Sequence, residues 1–529
     1  MNLVALPVLV PMMTALVLLF LGTRPTLQRV LAIGSFAGQL VIAVMLVGRS
    51  WDEGVLALPL GAWVAPYGIV FVADLLAGLM LTLSAVTILA GAVYGVIEMP
   101  GRRSHPLRLP LLQFLAMGIN LSFVTGDLFN LFVAFEVLLL ASYALLTLEA
   151  DDWDVKQAFP YLALNAVGST VFLCAAGLSY AMLGTLNFAD MSARAADMSG
   201  DPRLMALGLV FVLVFGLKAG LFPLYFWLPH SYPTLATPVA AVFAGLLTKV
   251  GIYVLIRMCT TVLPHDMSAL HGLIAWMSGA TMLLGVLGAI SRNFIRGILS
   301  FHILSQVAFM TLALGLFTPL SVAAAIFYIA HHIIVKSSLF LVGGVAALLN
   351  RTDDLNRMSH LWKATPWLGV VFLAQALSLA GLPPLSGFWG KYLIVVEGLA
   401  QREYWLVGAS LVASVLTLFS MLKIWLAAFW REEAEVRVVR EDRRWRPLTV
   451  VAGAMTAISL TIGLGAEPLL RLAGRAAEMT LDQEGYRDAV FGLRGKSLEE
   501  GIPGVLPVPL PGDGAAAGGE FLPFPGGTP

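Results

Sequence analysis

The stretch FGLKAGLFPLYFWLPHSYPTLATP, residues 215–238, decides how the chain is read. It sits in an almost continuously apolar neighbourhood, yet it carries Lys218, Gly220, Pro223, Pro229 and His230. A charge at the centre of a bilayer costs at least about 2.5–3.5 kcal/mol. Proline removes a backbone donor, and the freed groups must find neighbours or water. The stretch therefore reads as a broken membrane helix that lines a hydrated interior.

The surrounding chain supports that frame. Of 529 residues, 59% are hydrophobic and only 12% are charged, about half the charged share of a soluble domain. The mean hydropathy is +0.86. Apolar runs long enough to cross a bilayer recur from end to end. Fourteen spans are expected, near 3–21, 30–48, 68–96, 108–124, 128–148, 157–181, 204–228, 237–258, 268–290, 294–316, 319–348, 366–398, 404–430 and 447–470. The fold class is thus an all-α polytopic membrane protein. Net charge is zero, so nothing suggests nucleic acid, and Cys174 and Cys259 form no metal or redox spacing. The first run has Arg24 after it and no basic residue before it, the reverse of a signal peptide. With the N-terminus outside, the inner loops hold seventeen Lys and Arg, among them Arg102, Arg103, Arg437 and Arg440. The outer loops hold five: Arg49, Arg194, Arg203, Arg257 and Arg402. The positive-inside rule then predicts both termini outside. After residue 471 a Pro/Gly-rich extracytoplasmic tail is expected, extended and without a core of its own.

Sorting the basic residues is more informative than counting them. Five of eight lysines, Lys218, Lys249, Lys336, Lys391 and Lys423, fall inside spans, whereas the arginines sit in loops or at span ends. A desolvated lysine can release its proton and arginine effectively cannot. Glu136 is the only glutamate deep in a span; Asp74 reads as about two turns into the third, and Asp127 as a cap at the start of the fifth. His302 lies in the tenth span, and His331 and His332 in the eleventh, where His332 and Lys336 share a helix face. For His302 and His331 an interhelical hydrogen bond is the plainer reading. Lys423 reads equally as an interfacial anchor, and Asp74 equally as structural. One internal echo stands out: AGLFPLYFWLPH (219–230) aligns without gaps to AGLPPLSGFWGK (380–391), setting Pro223 against Pro384 and His230 against Lys391. Paired interrupted spans in two halves of a chain point to a transport site. Whether His230 is the counterpart of Lys391 or a cap on the break stays open.

These residues carry a resemblance. TGDLFNLFVAFEVLLLASY, KAGLFPLYFWLPHSYPTLATPVAAVFAGLLTKVGIY, AHHIIVKSSLFLVGG and GLPPLSGFWGKY resemble the antiporter-like subunits shared by Mrp-type sodium/proton antiporters, respiratory complex I and membrane-bound hydrogenases. The wording at 1–19, 58–78 and 228–251 is most similar to the D subunits of Mrp antiporters. The resemblance implies two inverted five-helix repeats, each with one broken helix: N-terminal helices at 1–107, repeats at 108–258 and 259–430, a loop and last helix at 431–470, and the tail at 471–529. It implies a secondary-transporter subunit in the cell membrane rather than an enzyme, without cofactor or metal, working with other membrane subunits. Glu136, Lys218, Lys249, His332, Lys336 and Lys391 are the expected proton relay. A lysine-lined path repels cations, which places the sodium site in a partner or at their contact. The alternative is a proton-pumping subunit of a complex I-like or hydrogenase redox complex.

Overall fold

A computed structural model of the chain describes residues 3–63, 65–99, 105–432, 438 and 442–492. Arg102, Arg103, Arg437 and Arg440 of the charge count, and the expected tail from residue 493 on, lie outside the described residues.

The chain opens with α1 (Leu6–Phe20) and α2 (Pro25–Glu53), then an antiparallel hairpin of β1 (Leu56–Pro59) and β2 (Val70–Ala73). Helices α3 (Leu75–Glu98), α4 (Arg108–Val124), α5 (Leu128–Thr147) and α6 (Asp152–Leu183) follow. A surface helix α7 (Phe188–Asp197) leads into α8 (Pro202–Ala219) and the short α9 (Trp227–Ser231). Next come α10 (Thr237–Arg257), α11 (Ser268–Ser291), α12 (Ile295–Leu316), α13 (Pro319–Asn350), the single turn α14 (Leu361–Ala364), α15 (Pro366–Ala380), α16 (Ser386–Ala400) and α17 (Tyr404–Ile424). The described residues end with α18 (Trp445–Leu464), α19 (Ala466–Leu481) and α20 (Gln483–Phe491). Twelve helices among the described residues are long and apolar enough to cross a membrane, and the shorter apolar α4 and α15 raise the number of crossings to fourteen.

Helix starts follow from capping chemistry. Asp74, Asp127, Asp151 and Asp201 each accept an amide hydrogen bond from the first turn, which satisfies a donor that the helix itself leaves orphaned. The expected cap at Asp127 is thus present, with Asn130 N donating at 2.8 Å. At Asp74 the expectation is corrected. The third span does not begin at 68: Val70–Ala73 form β2, and Asp74 is the N-cap of α3 rather than a residue two turns inside it. All four strand residues are apolar and buried, so hydropathy alone merges them with the helix that follows.

Two small bridges fix the symmetry of the molecule. Around Asp127, Leu128 N donates to Leu186 O and Phe188 N to Gly126 O, both at 2.8 Å. Around Phe294, Ile295 N donates to Asp353 O at 3.0 Å and Leu355 N to Asn293 O at 2.8 Å. Each is an isolated antiparallel bridge, Asp127↔Asn187 and Phe294↔Asp354. The first ties the start of α5 to the loop after α6, and the second ties the start of α12 to the loop after α13. They sit at opposite ends of the bundle, because Arg296, two residues beyond Phe294, shares a cleft with Arg108 at the far end of α4. Five crossings separate equivalent points, so the second unit runs upside down relative to the first. The helix before the end of each unit is broken: α8/α9 in one, α15/α16 in the other.

Basic residues gather at the end that holds Arg296. There Arg108 pairs with Glu149, Arg296 with Asp353 at 3.1 Å, and Arg444 with Asp442 and the Glu98 carbonyl. The expected extended tail is corrected where the structure describes it: residues 466–481 and 483–491 are helical. Helix α19 is amphipathic. It buries Ala473, Ala476, Ala477 and Thr480 on one face and lies across α13 and α3. Its arginines and glutamates lower the mean hydropathy enough to hide it from a search for spans.

Candidate functional site

The two breaks share one geometry. Helix α8 ends at Gly220 (φ 80°) and α15 at Gly381 (φ 92°), both left-handed, a conformation that glycine adopts without a Cβ clash. In each, the next amide closes the outer bond of the turn, Leu221 N to Gly216 O at 2.8 Å and Leu382 N to Leu377 O at 3.2 Å. The glycine amide closes the inner bond to Leu217 O or Ser378 O, which completes a Schellman motif. Pro223 and Pro384 follow at the same offset, each after a cis peptide bond. Beyond this point the halves diverge: α16 runs fifteen residues and α9 only five, giving way to a 3-10 turn that carries Pro233.

Each lysine finds a different set of partners. Lys218, in the last turn of α8, donates to Asn165 O at 3.1 Å, Asn165 Oδ1 at 3.4 Å and Ser169 Oγ at 3.3 Å on α6. Glu136 on α5 is within electrostatic reach of Lys218, but the two are not in ion-pair contact, and Glu136 Oε1 is buried without a protein partner. The expected close pair is therefore open in this structure, with Phe135 beside the ammonium at 5.9 Å. Lys249 on α10 reaches back to Ala244 O at 2.6 Å. Helix α10 passes so close to the first break that a Cβ on Gly251 would lie 2.7 Å from Ala219 N. No hydrogen bond joins Lys218 to Lys249 among the described residues.

The centre lies between α10 and α13. Lys249, His332 and Lys336 are each fully buried. Lys336 Nζ and both ring nitrogens of His332 have no protein partner, and His332 lies within electrostatic reach of Lys249, Lys336, His331 and Lys391. At the second break Lys391 on α16 donates to the last carbonyls of α15, Leu379 O at 3.0 Å and Ala380 O at 3.1 Å. Its ammonium sits 4.5 Å from the Phe309 ring centroid, a favourable cation–π arrangement. Lysine from one half-helix thus covers the exposed end of the other. Glu136 and Lys218 form one cluster, and Lys249, His332, Lys336 and Lys391 another.

A family described as NADH:quinone oxidoreductase/Mrp antiporter, transmembrane, matches residues 125–417. The D subunit of the Na(+)/H(+) antiporter of Alkalihalophilus pseudofirmus is 39% identical over 490 residues, 93% of this chain and 99% of that protein. The chain belongs to the NADH:quinone oxidoreductase/Mrp antiporter family. A solved chain of the Mrp complex from Dietzia sp. DQ12-45-1b superposes with a TM-score of 0.86 at 32% identity, covering 93% of this chain and all of that one. A chain of respiratory complex I from Thermus thermophilus gives 0.71 at 25% identity, covering 88% of this chain and 99% of that one.

Within this Mrp-antiporter-family chain, several side chains near the buried bases were not singled out from the sequence. Asn165 and Ser169 hold Lys218. Ser386 bonds His331 Nδ1 at 2.8 Å, Ser378 at 2.8 Å and Ser459 at 3.1 Å, a hydroxyl cluster across the second break. Tyr328 donates to Gln306 Oε1 at 2.5 Å, and Gln306 to Thr417 at 3.3 Å. His302 bonds Ser420 at 2.5 Å, so both histidines make the interhelical bonds read for them. Uncharged polar residues are too common in membrane helices to mark a site by type; spacing around the breaks is the one signal that picks out Ser378 and Ser386. Lys423 donates to Ile290 O, Arg292 O and Asn293 Oδ1 at 2.7–3.0 Å, which caps α11 and answers the open reading as an anchor. Asp74 is fully buried and pairs with Arg257 Nη2 at 2.5 Å; Arg257, counted as a loop charge in the sequence, is buried as well. His230 is exposed in a cleft with Asp154, Arg292 and Asp353. Lys391 is buried, so the aligned pair occupies unlike environments. Among the described residues no group of three His, Cys, Asp or Glu side chains is placed to hold a metal ion.

Proposed function

We propose that the chain is the proton-translocating membrane subunit of a multisubunit Na+/H+ antiporter, working with other membrane subunits. Protons move along Glu136, Lys218, Lys249, His332, Lys336 and Lys391. The observation that carries this reading is the central group: Lys336 and His332 are buried without protein partners, beside Lys249. An uncompensated buried ammonium is costly, so a lysine kept there is matched to a path in which protons come and go. The Glu136–Lys218 pair acts as the switch: closing it favours the charged lysine, and opening it releases the proton to the next base. Sodium needs several oxygen ligands; the relay offers mainly nitrogen and positive charge, so the cation site belongs to a partner subunit or to the contact with it. The arginine-rich end faces the cytoplasm of a plasma-membrane complex, with both termini outside.

The test is sodium-dependent proton flux in vesicles that hold the whole complex. Lys218→Ala and Glu136→Gln are each expected to cut flux at least about tenfold, a barrier rise of roughly 1.4 kcal/mol; wild-type flux in Lys218→Ala overturns the reading. Flux that ignores sodium and follows a redox donor assigns the chain to a complex I-like machine instead, the reading that the Thermus likeness favours.

A further inference from the structure

At the end of the bundle opposite the arginine cluster, a cavity of about 680 Å³ opens between the β-hairpin and helices α19 and α20. Its lining includes Arg49, paired with Glu53 at 2.8 Å, and Asp482, Tyr486 and Asp488. Tyr486 is buried behind it. A Cβ on Gly126 would lie 3.3 Å from its hydroxyl, which places that hydroxyl at the loop between α4 and α5. It stands within electrostatic reach of Asp74, Tyr253 and Arg257.

Those three form a buried cluster that the relay does not use. Asp74 Oδ1 accepts from Arg257 Nη2 at 2.5 Å and from Ala77 N at 2.9 Å. Arg257 Nε donates to Tyr253 Oη at 3.0 Å, and Tyr253 donates to Phe123 O at 2.6 Å. One acceptor and one donor of the same ion pair, Asp74 Oδ2 and Arg257 Nη1, are buried without a protein partner. Groups of that kind are what internal water bridges. Lys249, Tyr253 and Arg257 recur at every fourth position, so they lie along one ridge of α10, with the Lys249 ammonium turned toward Ala244 O.

We propose that the Asp74–Arg257 pair is a proton gate joining this cavity to Lys249, a second access route at the end of the bundle opposite Arg108 and Arg296. The inference rests on the proposed relay. A proton leaving the Lys249 ammonium breaks an N–H bond there and travels through water to Asp74 Oδ2, where an O–H bond forms. It then passes to water in the cavity, and the carboxylate returns to its ion pair. Arg257 keeps its charge throughout and turns away metal cations, while Tyr253 and Tyr486 orient the water. No electrons change hands.

The experiment uses the whole complex in vesicles. A cysteine introduced by Asp488→Cys is modified from the cavity side with a bulky membrane-impermeant maleimide. The unsubstituted complex, in which this chain carries Cys174 and Cys259, is treated alongside, as is Arg471→Cys on the neighbouring helix. Labelling of Asp488→Cys is expected to lower sodium-dependent proton flux about tenfold relative to the same complex unlabelled, and labelling of Arg471→Cys to leave it unchanged. Asp74→Asn keeps a helix cap but takes up no proton, and the same loss is expected of it in complex that still assembles. Because that variant also leaves Arg257 uncompensated, the cavity block stands as the independent arm. Full labelling at 488 with unchanged flux, in a complex where Lys218→Ala still abolishes transport, overturns the gate and leaves the relay intact. Unchanged flux in Lys218→Ala overturns the relay and, with it, the gate.

Discussion

At the residue scale the division between lysine and arginine carries the chemistry. Lys391 offers donors to two helix-end carbonyls, a task that arginine could share, but arginine holds its proton. Lys391→Arg is therefore expected to assemble and yet lose at least about tenfold in flux, measured in the same vesicles. Lys423 is the contrast. Its three acceptors lie at the end of α11, so Lys423→Ala should keep transport and lower thermal stability by about 0.5–1.5 kcal/mol. The charged residues were legible because each is rare in an apolar run. Their partners were not: Asn165, Ser169 and Gln306 differ in no visible way from polar residues that only join helices. Asp74 was misplaced because an apolar buried strand and an apolar helix share one hydropathy.

At the element scale the informative feature is the repeated break. The gapless match of 219–230 to 380–391 was visible in the sequence, and Gly220/Gly381 and Pro223/Pro384 take up equivalent positions. The match did not extend to side-chain environment: the first copy gives way after Ser231 to a 3-10 turn that carries Pro233, and His230 is exposed. A left-handed alanine costs about 1–2 kcal/mol, so both Gly220→Ala and Gly381→Ala should lower stability by that amount. Their effects on flux should differ. A Cβ at 220 meets Leu304 Cδ2 at 3.1 Å, whereas one at 381 meets Lys391 Cδ at 2.8 Å. Only the second displaces a relay lysine, so only Gly381→Ala is expected to slow transport as well. Helix α19 was readable in principle: Leu469, Leu472, Ala473, Ala476 and Thr480 recur at helical spacing. A search tuned to continuous hydropathy passes over it.

At the scale of the whole molecule, hydropathy laid out the fourteen crossings because a bilayer demands them, whereas the two bridges at Asp127 and Phe294 rest on backbone bonds that leave no mark on composition. These bridges have a mechanical consequence. Each one brackets a pair of neighbouring helices, α5 with α6 and α12 with α13, so that neither member of a pair slides against the other without breaking two backbone hydrogen bonds. Hydrogen exchange should find the amides of Leu128, Phe188, Ile295 and Leu355 slow, and those of Phe222 and Leu385, at the breaks, faster. Glu136 then rides on one bracket with the Asn165 that holds Lys218, and His332 with Lys336 on the other. Compliance is left to the two joints at Gly220 and Gly381, which places the moving parts of the machine at Lys218 and Lys391 and its stiff parts at its ends.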